Sequence, residues 1–181
     1  MDKEQIEQEL VIHHDNFIAM LRSLSDEDFL KEPLEKWTAG QQLDHIMKSV
    51  KPVDMAFGLP MFVLKMKFGL ANRPSKTYEG LVAKYQKALK DNTGFKMPSE
   101  FAPSKIPSAK KERALEKMDN LIRKMCGRLA KFSEAELDTY ILPHPLMGKL
   151  TLREMLYFTI YHVQHHHRQI PKNLAHANPS S

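Results

Sequence analysis

The sequence predicts an all-α fold, a bundle of four principal helices with shorter helical pieces between them. Three observations predict it. Apolar residues recur at spacings of three and four through several long stretches. Three hydroxyl-x-x-Glu/Gln pairs (Thr38/Gln41, Ser133/Glu136 and Thr151/Glu154) stand where such stretches begin. Seven Gly and few β-branched runs leave too little strand and turn material for a β-sandwich or barrel. A chain of 181 residues, 42% hydrophobic and 27% charged, is long and apolar enough to bury one core. The expectation is a single domain over 1–174 with a flexible tail over 175–181.

The elements follow in order. Residues 3–24 form an amphipathic helix, with Ile6, Leu10, Phe17, Leu21 and Leu24 on one stripe and His14 inside it. Ser25–Glu35 is a polar connection containing Pro33. Thr38 and Gln41 cap a second helix whose apolar face is Leu43, Ile46, Met47 and Val50, and Pro52 is expected to stop or kink it. Met55–Leu70 follows, broken by Gly58 and Pro60. Asn72–Ser75 reads as a turn, and Tyr78–Lys90 as a short helix. Gly94, Pro98, Pro103 and Pro107 exclude regular structure over most of Asn92–Ala109, a loop long enough to be functional or mobile. Lys110–Phe132 is a strong helix carrying Leu115, Met118, Ile122, Met125 and Leu129 on one face. Ser133 and Glu136 open a shorter one. Leu142–Lys149 reads as a loop. Thr151 and Glu154 open the last helix, which Pro171 is expected to close before a frayed end.

Several function classes drop out. One cysteine, Cys126, excludes an internal disulfide framework and any Cys₄ or Cys₂His₂ zinc module. It lies beside the apolar face of its helix, where a packed core thiol is favoured over a nucleophile or ligand. The opening MDKEQIEQEL has no apolar signal region, so a cytoplasmic protein is expected. The net charge of +5 is spread along the chain without a basic stripe, and no nucleic-acid partner is expected. Met55–Leu70 is shorter than the ~20 residues that span a bilayer. Lys65 and Lys67 interrupt it. A core or partner contact, for instance in a homodimer, is therefore favoured over a bilayer-surface contact, and stable membrane insertion is not expected.

The chemistry concentrates in the last helix. Four of the nine histidines fall within six residues: His162, His165, His166 and His167. His162 and His166 alone are four apart, which sets two imidazoles one turn apart on nearly one face, as a shared metal requires. With Leu152 at 0° and steps of 100° per residue, His166 falls at about 320° and His162 at about 280°, on or beside the buried stripe. His165 points away, at about 220°, and His167 lies at the opposite flank, at about 60°. Two inward imidazoles need either a cation or hydrogen-bond partners. A metal needs a third ligand from another helix. His14, mid-stripe on the first helix, is favoured by the wheel; His45 lies off the apolar face of the second helix, His13 is a poorer candidate and His144 is on a loop. The spacing alone does not choose His45.

Trp37-Thr38-x-x-Gln41-x-Leu43-x-His45-Ile46, Thr151-x-x-Glu154 and His162-x-x-His165-His166-x-x-Gln169-Ile170 together resemble the DinB/YfiT-like metalloenzyme superfamily. The middle of the chain, with Asn72-Arg73-Pro74-Ser75 and the Pro-rich loop, is similar to a DinB-like subgroup of unknown function. The resemblance extends to about Leu174. It implies a four-helix bundle in up-down-down-up order and a divalent metal held by His45, His162 and His166, with water in the open positions. Where the family often has Gly before the Gln of the last box, this chain has Arg168, which should face solvent at about 160° on the wheel. His165, Gln169 and His14 are candidates for supporting contacts around the ligands, His165 equally for a surface residue. Glu154 reads most simply as a cap and Trp37 as a hydrophobic plug.

The function this implies is a divalent-metal-dependent enzyme acting on a small molecule, with Zn or Ni favoured and Fe also suited to imidazole ligation. Relatives that use low-molecular-weight thiols suggest an S-transferase in detoxification or stress response. The alternative is a non-catalytic metal-binding or dimeric interaction module. No general base is identifiable from the sequence.

Overall fold

The computed structural model describes residues 1–33 and 36–177. Eight helices are present among them: α1 (Lys3–Ser23), α2 (Asp26–Leu30), α3 (Ala39–Phe57), α4 (Met61–Phe68), α5 (Tyr78–Asp91), α6 (Lys111–Leu129), α7 (Glu134–Thr139) and α8 (Leu152–Ala177). The polar connection expected over Ser25–Glu35 holds the short α2, capped by Ser25; its last residues, Leu34 and Glu35, lie outside the described residues.

Helices α1, α3, α6 and α8 form a four-helix bundle in which α1 and α3 are diagonal and each packs on both α6 and α8. Their directions follow from the contacts at their ends. The start of α1 meets the end of α6 through Lys3 Nζ and the Phe132 carbonyl, and its end meets the start of α6 through Arg22 and Glu112. Met1 meets Arg153 and Tyr157 at the start of α8. Asp54, late in α3, pairs with Arg128, late in α6. The order is therefore up, down, down, up. Two successive parallel helices, α3 and α6, need a long return path, and α4, α5 and the segment over 92–110 supply it.

The local signals explain the helix starts. Each of the capping boxes Thr38/Gln41 and Ser133/Glu136 is closed in both directions. At the start of α8 the Thr151 N–H donates to Glu154 Oε2 at 3.0 Å and the Glu154 N–H to Thr151 Oγ1 at 3.2 Å. Gly40 is a site of close approach: a Cβ there would lie 2.9 Å from the Phe29 ring, so only glycine lets α2 seat fully on α3.

Three expectations are corrected. Pro52 does not stop its helix; α3 runs on to Phe57, because Val53, Ala56 and Phe57 gain burial that outweighs one lost backbone hydrogen bond. Pro171 likewise lies inside α8, which continues to Ala177 with Leu174 packed on the core; residues 178–181 lie outside the described set. Leu142–Lys149 is not a plain loop but most of a β-hairpin, β1 (Ile141–His144) and β2 (Gly148–Thr151), antiparallel with Leu142 opposite Leu150. Gly148 at φ 73° closes its three-residue turn, and His144 Nδ1 accepts from the Leu146 and Met147 N–H groups, each at 3.1 Å. The 92–109 segment is irregular as expected, apart from single 3₁₀ turns at Ser99–Phe101 and Ser108–Lys110. No helix of the described residues is long and apolar enough to cross a membrane.

Candidate metal centre

The α3–α8 seam carries the site. Antiparallel packing sets the early part of α3 against the middle of α8, so that Gln42 and His45 face His162 and His166. His45 Nε2 and His162 Nε2 lie 3.2 Å apart, and His166 Nε2 and His162 Nε2 also 3.2 Å apart. All three ring nitrogens fall within 4.8 Å of one another. For comparison, two nitrogens bound tetrahedrally to one zinc at 2.0–2.1 Å would be separated by about 3.3 Å. The three side chains are buried, at 6–8% exposure.

Partners on the far side of two rings fix their tautomers. His45 Nδ1 lies 2.9 Å from the Phe101 carbonyl, which can only accept, so the proton is on Nδ1 and the Nε2 lone pair faces inward. His166 Nδ1 donates to Gln42 Oε1 at 2.9 Å, and the Gln42 amide is oriented by its Nε2 donating to the Trp37 carbonyl at 3.5 Å. Two lone pairs thus converge on His162 Nε2, which can offer one of them a proton at most. A buried acceptor is left without a donor whichever tautomer His162 adopts, and a shared cation removes that conflict. The residues present therefore fit a divalent ion.

Electrostatics keeps the rings neutral. Burial, followed by His166 and His45, pushes His162 well below the ordinary imidazole value of 6.5. Burial, followed by His45 and His165, does the same to His166. His45 is lowered chiefly by burial, against the opposing Phe101 hydrogen bond. Neutral imidazole is the form that binds metal.

Other sequence candidates lie elsewhere or touch the cluster differently. His14, favoured by the wheel, is outside the group: it is fully buried within α1, its Nδ1 bonds the Leu10 carbonyl at 2.7 Å, and its Nε2 has no hydrogen-bond partner among the described residues. A stripe position points to the bundle axis, whereas this cluster sits in the seam between two helices. His165 packs edge-on against the His166 ring, with centroids 5.4 Å apart, and Gln169 is half-buried. Neither makes a hydrogen bond to the cluster among the described residues. His13 pairs with Glu9 and His144 shapes the hairpin. Cys126 is a core thiol, pushed up to about 11 chiefly by burial. Arg168 is exposed and lies over the Tyr161 ring.

The sequence reading missed four contributors. Gln42 stands three residues before His45, on the same flank of α3, and that spacing was the available signal. Trp37 is more than a plug: its ring lies 4.9 Å from His45 and is parallel to His166 at 6.2 Å. Phe158, one turn before His162 on α8, stacks on it at 4.7 Å. Phe101 acts through its carbonyl, for which no side-chain signal exists. The segment holding that carbonyl is tied to α3 by Lys48 Nζ donating to the Ala102 carbonyl and the Ser104 N–H donating to Asp44, both at 2.7 Å.

Glu154 is a cap and also an anchor. Wholly buried, it receives both Arg73 guanidinium nitrogens at 2.7 Å and the Lys76 N–H at 2.9 Å. Ser75 bonds both Asp138 and Thr151, so the turn at Asn72–Ser75 is fastened to the start of α8.

Beside the imidazoles a cavity of about 660 Å³ opens between α3, α5, α8, the hairpin and the 95–101 segment, with His45 and His162 in its wall. A second concavity, of about 800 Å³, lies around Met1, Tyr78 and Arg153 and contains none of the three histidines.

Comparison with known proteins agrees with this architecture. The DinB superfamily description matches residues 9–170. The uncharacterized protein YuaE of Bacillus subtilis (strain 168) is 27% identical over 154 residues, covering 83% of this chain and 85% of that protein. No solved structure gives a significant match. With a bundle in up-down-down-up order, three converging imidazoles in its α3–α8 seam and a family match across nearly the whole length, the chain belongs to the DinB superfamily.

Proposed function

We propose that this protein is a divalent-metal-dependent enzyme whose ion is held by the Nε2 atoms of His45, His162 and His166. The observation that carries the reading is the convergence of these atoms, two of them with lone pairs fixed inward by Phe101 and Gln42. Three neutral imidazoles would leave the charge of a bound cation undiminished, and two of them, His45 and His162, line the cavity. A divalent cation so held lowers the pKa of a water or thiol that binds it, and supplies a nucleophile near neutral pH. Zinc and nickel suit the donor set best, and iron is compatible with it.

The chain's own residues do the positioning. Phe101 and Gln42 hold two rings in the tautomer that presents Nε2, Trp37 and Phe158 pack the rings against rotation, and the cavity beside them has a predominantly apolar wall. The finer reading is attack of a small thiol, deprotonated at sulfur, on an electrophilic carbon of a small molecule bound in that cavity. A C–S bond forms, the carbon's bond to its leaving group breaks, and the leaving group departs with the electron pair while solvent takes the thiol proton. Metal analysis of protein prepared with ample zinc and nickel tests the site, and turnover of a generic electrophile with a panel of small thiols tests the transfer. Absence of a stoichiometric ion would overturn the enzyme reading.

Gln42→Ala leaves the His166 Nδ1–H without its acceptor while sparing the three proposed ligands. Loss of such an orienting partner costs about 10- to 100-fold in metal affinity. Competition titration against a chromophoric chelator measures it, and unchanged affinity would remove Gln42 from the account.

A dimeric module is the second reading, favoured by the outward face around α4. Phe62 is 67% exposed and Met66 80%, one turn apart, with Met55 nearby at 59%. Large apolar groups grouped in this way mark an interaction surface. Phe62→Glu is expected to convert a dimer to monomer in light scattering, and an unchanged mass would count against this face as the interface.

A further inference from the structure

The chemistry of the cavity wall says what it would hold. From α3 it is lined by Val53 and Ala56, with Ser49 near His45, from α5 by Tyr85 and from α8 by Phe158. These two rings meet edge to face at 5.2 Å, and His144 meets Phe158 the same way at 4.3 Å. The 95–101 segment adds Phe95, Met97 and Phe101, and the hairpin adds Leu142 and Leu146. No lysine or arginine lines the cavity among the described residues, and its one charged lining residue is Glu100, a carboxylate on the exposed surface of the loop. A charge on the part of a ligand lying among these apolar residues, away from the imidazoles, would be desolvated without a cationic side chain to pair with, and an anion there would also be near the Glu100 carboxylate. A cavity of about 660 Å³ has the size of a small-molecule site.

We propose that this cavity takes a small molecule with an uncharged, apolar body and a single small polar head. The body lies among Val53, Ala56, Tyr85 and Phe158, and the head meets the His45 and His162 nitrogens. Placement of the head at an ion rests on the metal reading above; selection of an apolar, uncharged body does not. In thiol transfer, this makes the cavity the site of the electrophile rather than of a thiol carrying carboxylates.

The test uses the full chain, stripped of metal by a chelator for the competition so that no bound cation pairs with the sulfonate, and loaded with zinc, its content measured, for the variants. The neutral fluorophore N-phenyl-1-naphthylamine is bound and then displaced with 1-nonanol or nonane-1-sulfonate, which share a chain and differ in head charge. Nonanol is expected to compete more than about tenfold better than the sulfonate. Ala56→Trp, which fills the cavity, is expected to weaken fluorophore binding more than about tenfold at unchanged zinc content. Leu89→Asp, at the exposed rim and outside the packed core, is expected to weaken it about fivefold should the tryptophan variant fail to fold. Equal competition by the sulfonate, or unchanged fluorophore binding in whichever of these variants folds, would overturn the proposal. Fluorophore binding by protein that takes up no zinc would support the apolar cavity and overturn the metal reading. Zinc uptake without fluorophore binding would do the reverse.

Discussion

His162→Ala is expected to reduce divalent-metal content from about one ion per chain to near none. His162 Nε2 is the shared neighbour of the other two rings, 3.2 Å from each, so its loss leaves two imidazoles from different helices with nothing between them. Equilibrium dialysis with zinc and with nickel reads this directly. A second readout is thermal: an ion that binds only the folded protein stabilises it by about 2.7 kcal/mol at a free concentration 100 times its Kd. Zinc should therefore raise the midpoint of the wild type and leave that of the variant nearly unmoved. A variant that keeps both its metal and its thermal response would show that the ion, if there is one, is held elsewhere.

Arg73→Ala is expected to destabilise the fold strongly although it lies away from the cluster. Glu154 is wholly buried and ionised; burial opposes its charge, but the Arg73 hydrogen bonds and the Lys76 and Thr151 N–H groups outweigh it and hold the carboxyl below its ordinary value of 4.5. Removing the guanidinium strands that charge at the start of α8 and releases the Asn72–Ser75 turn. Breaking a buried pair costs about 3–5 kcal/mol, and partial exposure of Arg73 brings the expectation to about 2–3 kcal/mol in urea unfolding at pH 7. The sign with pH follows. In the wild type, a depressed carboxyl pKa contributes stability that is present above 4.5 and is lost as pH falls through the folded value. In the variant the buried carboxyl gains by protonation instead, so the gap between the two proteins should narrow below about pH 4.5. A deficit that does not change with pH would assign the loss to packing rather than to charge.

How much of this was legible in the sequence depended on how local each cause was. The capping boxes at Thr38, Ser133 and Thr151 announced three helix starts because both partners lie within one turn. The His162/His166 pair was legible for the same reason. His45 was not legible from the wheel: the stripe favoured His14, and a helix wheel measures distance from the helix's own apolar face, not from the seam it shares with another helix. Only the resemblance of the Trp37–Ile46 box named His45. The hairpin over 141–151 escaped because Pro143, Pro145 and Gly148 signal a loop, whereas Leu142 and Leu150 are buried by strand pairing and by packing of the hairpin on α4, α7 and α8. Pro52 and Pro171 misled in the opposite direction, since tertiary burial beyond each proline carries the helix on. The roles of Gln42 and the Phe101 carbonyl depend on contacts across 124 and 56 residues of sequence, which no local pattern encodes.

One divalent ion shared by imidazoles from α3 and α8 would be visible in anomalous diffraction at the zinc edge from crystals grown with zinc. A single strong peak per chain is expected within bonding distance of Nε2 of His45, His162 and His166, with the His45 and His166 Nδ1 atoms still donating to Phe101 and Gln42. Rings turned away from one another, or a cluster without a peak at saturating zinc, would contradict a shared ion.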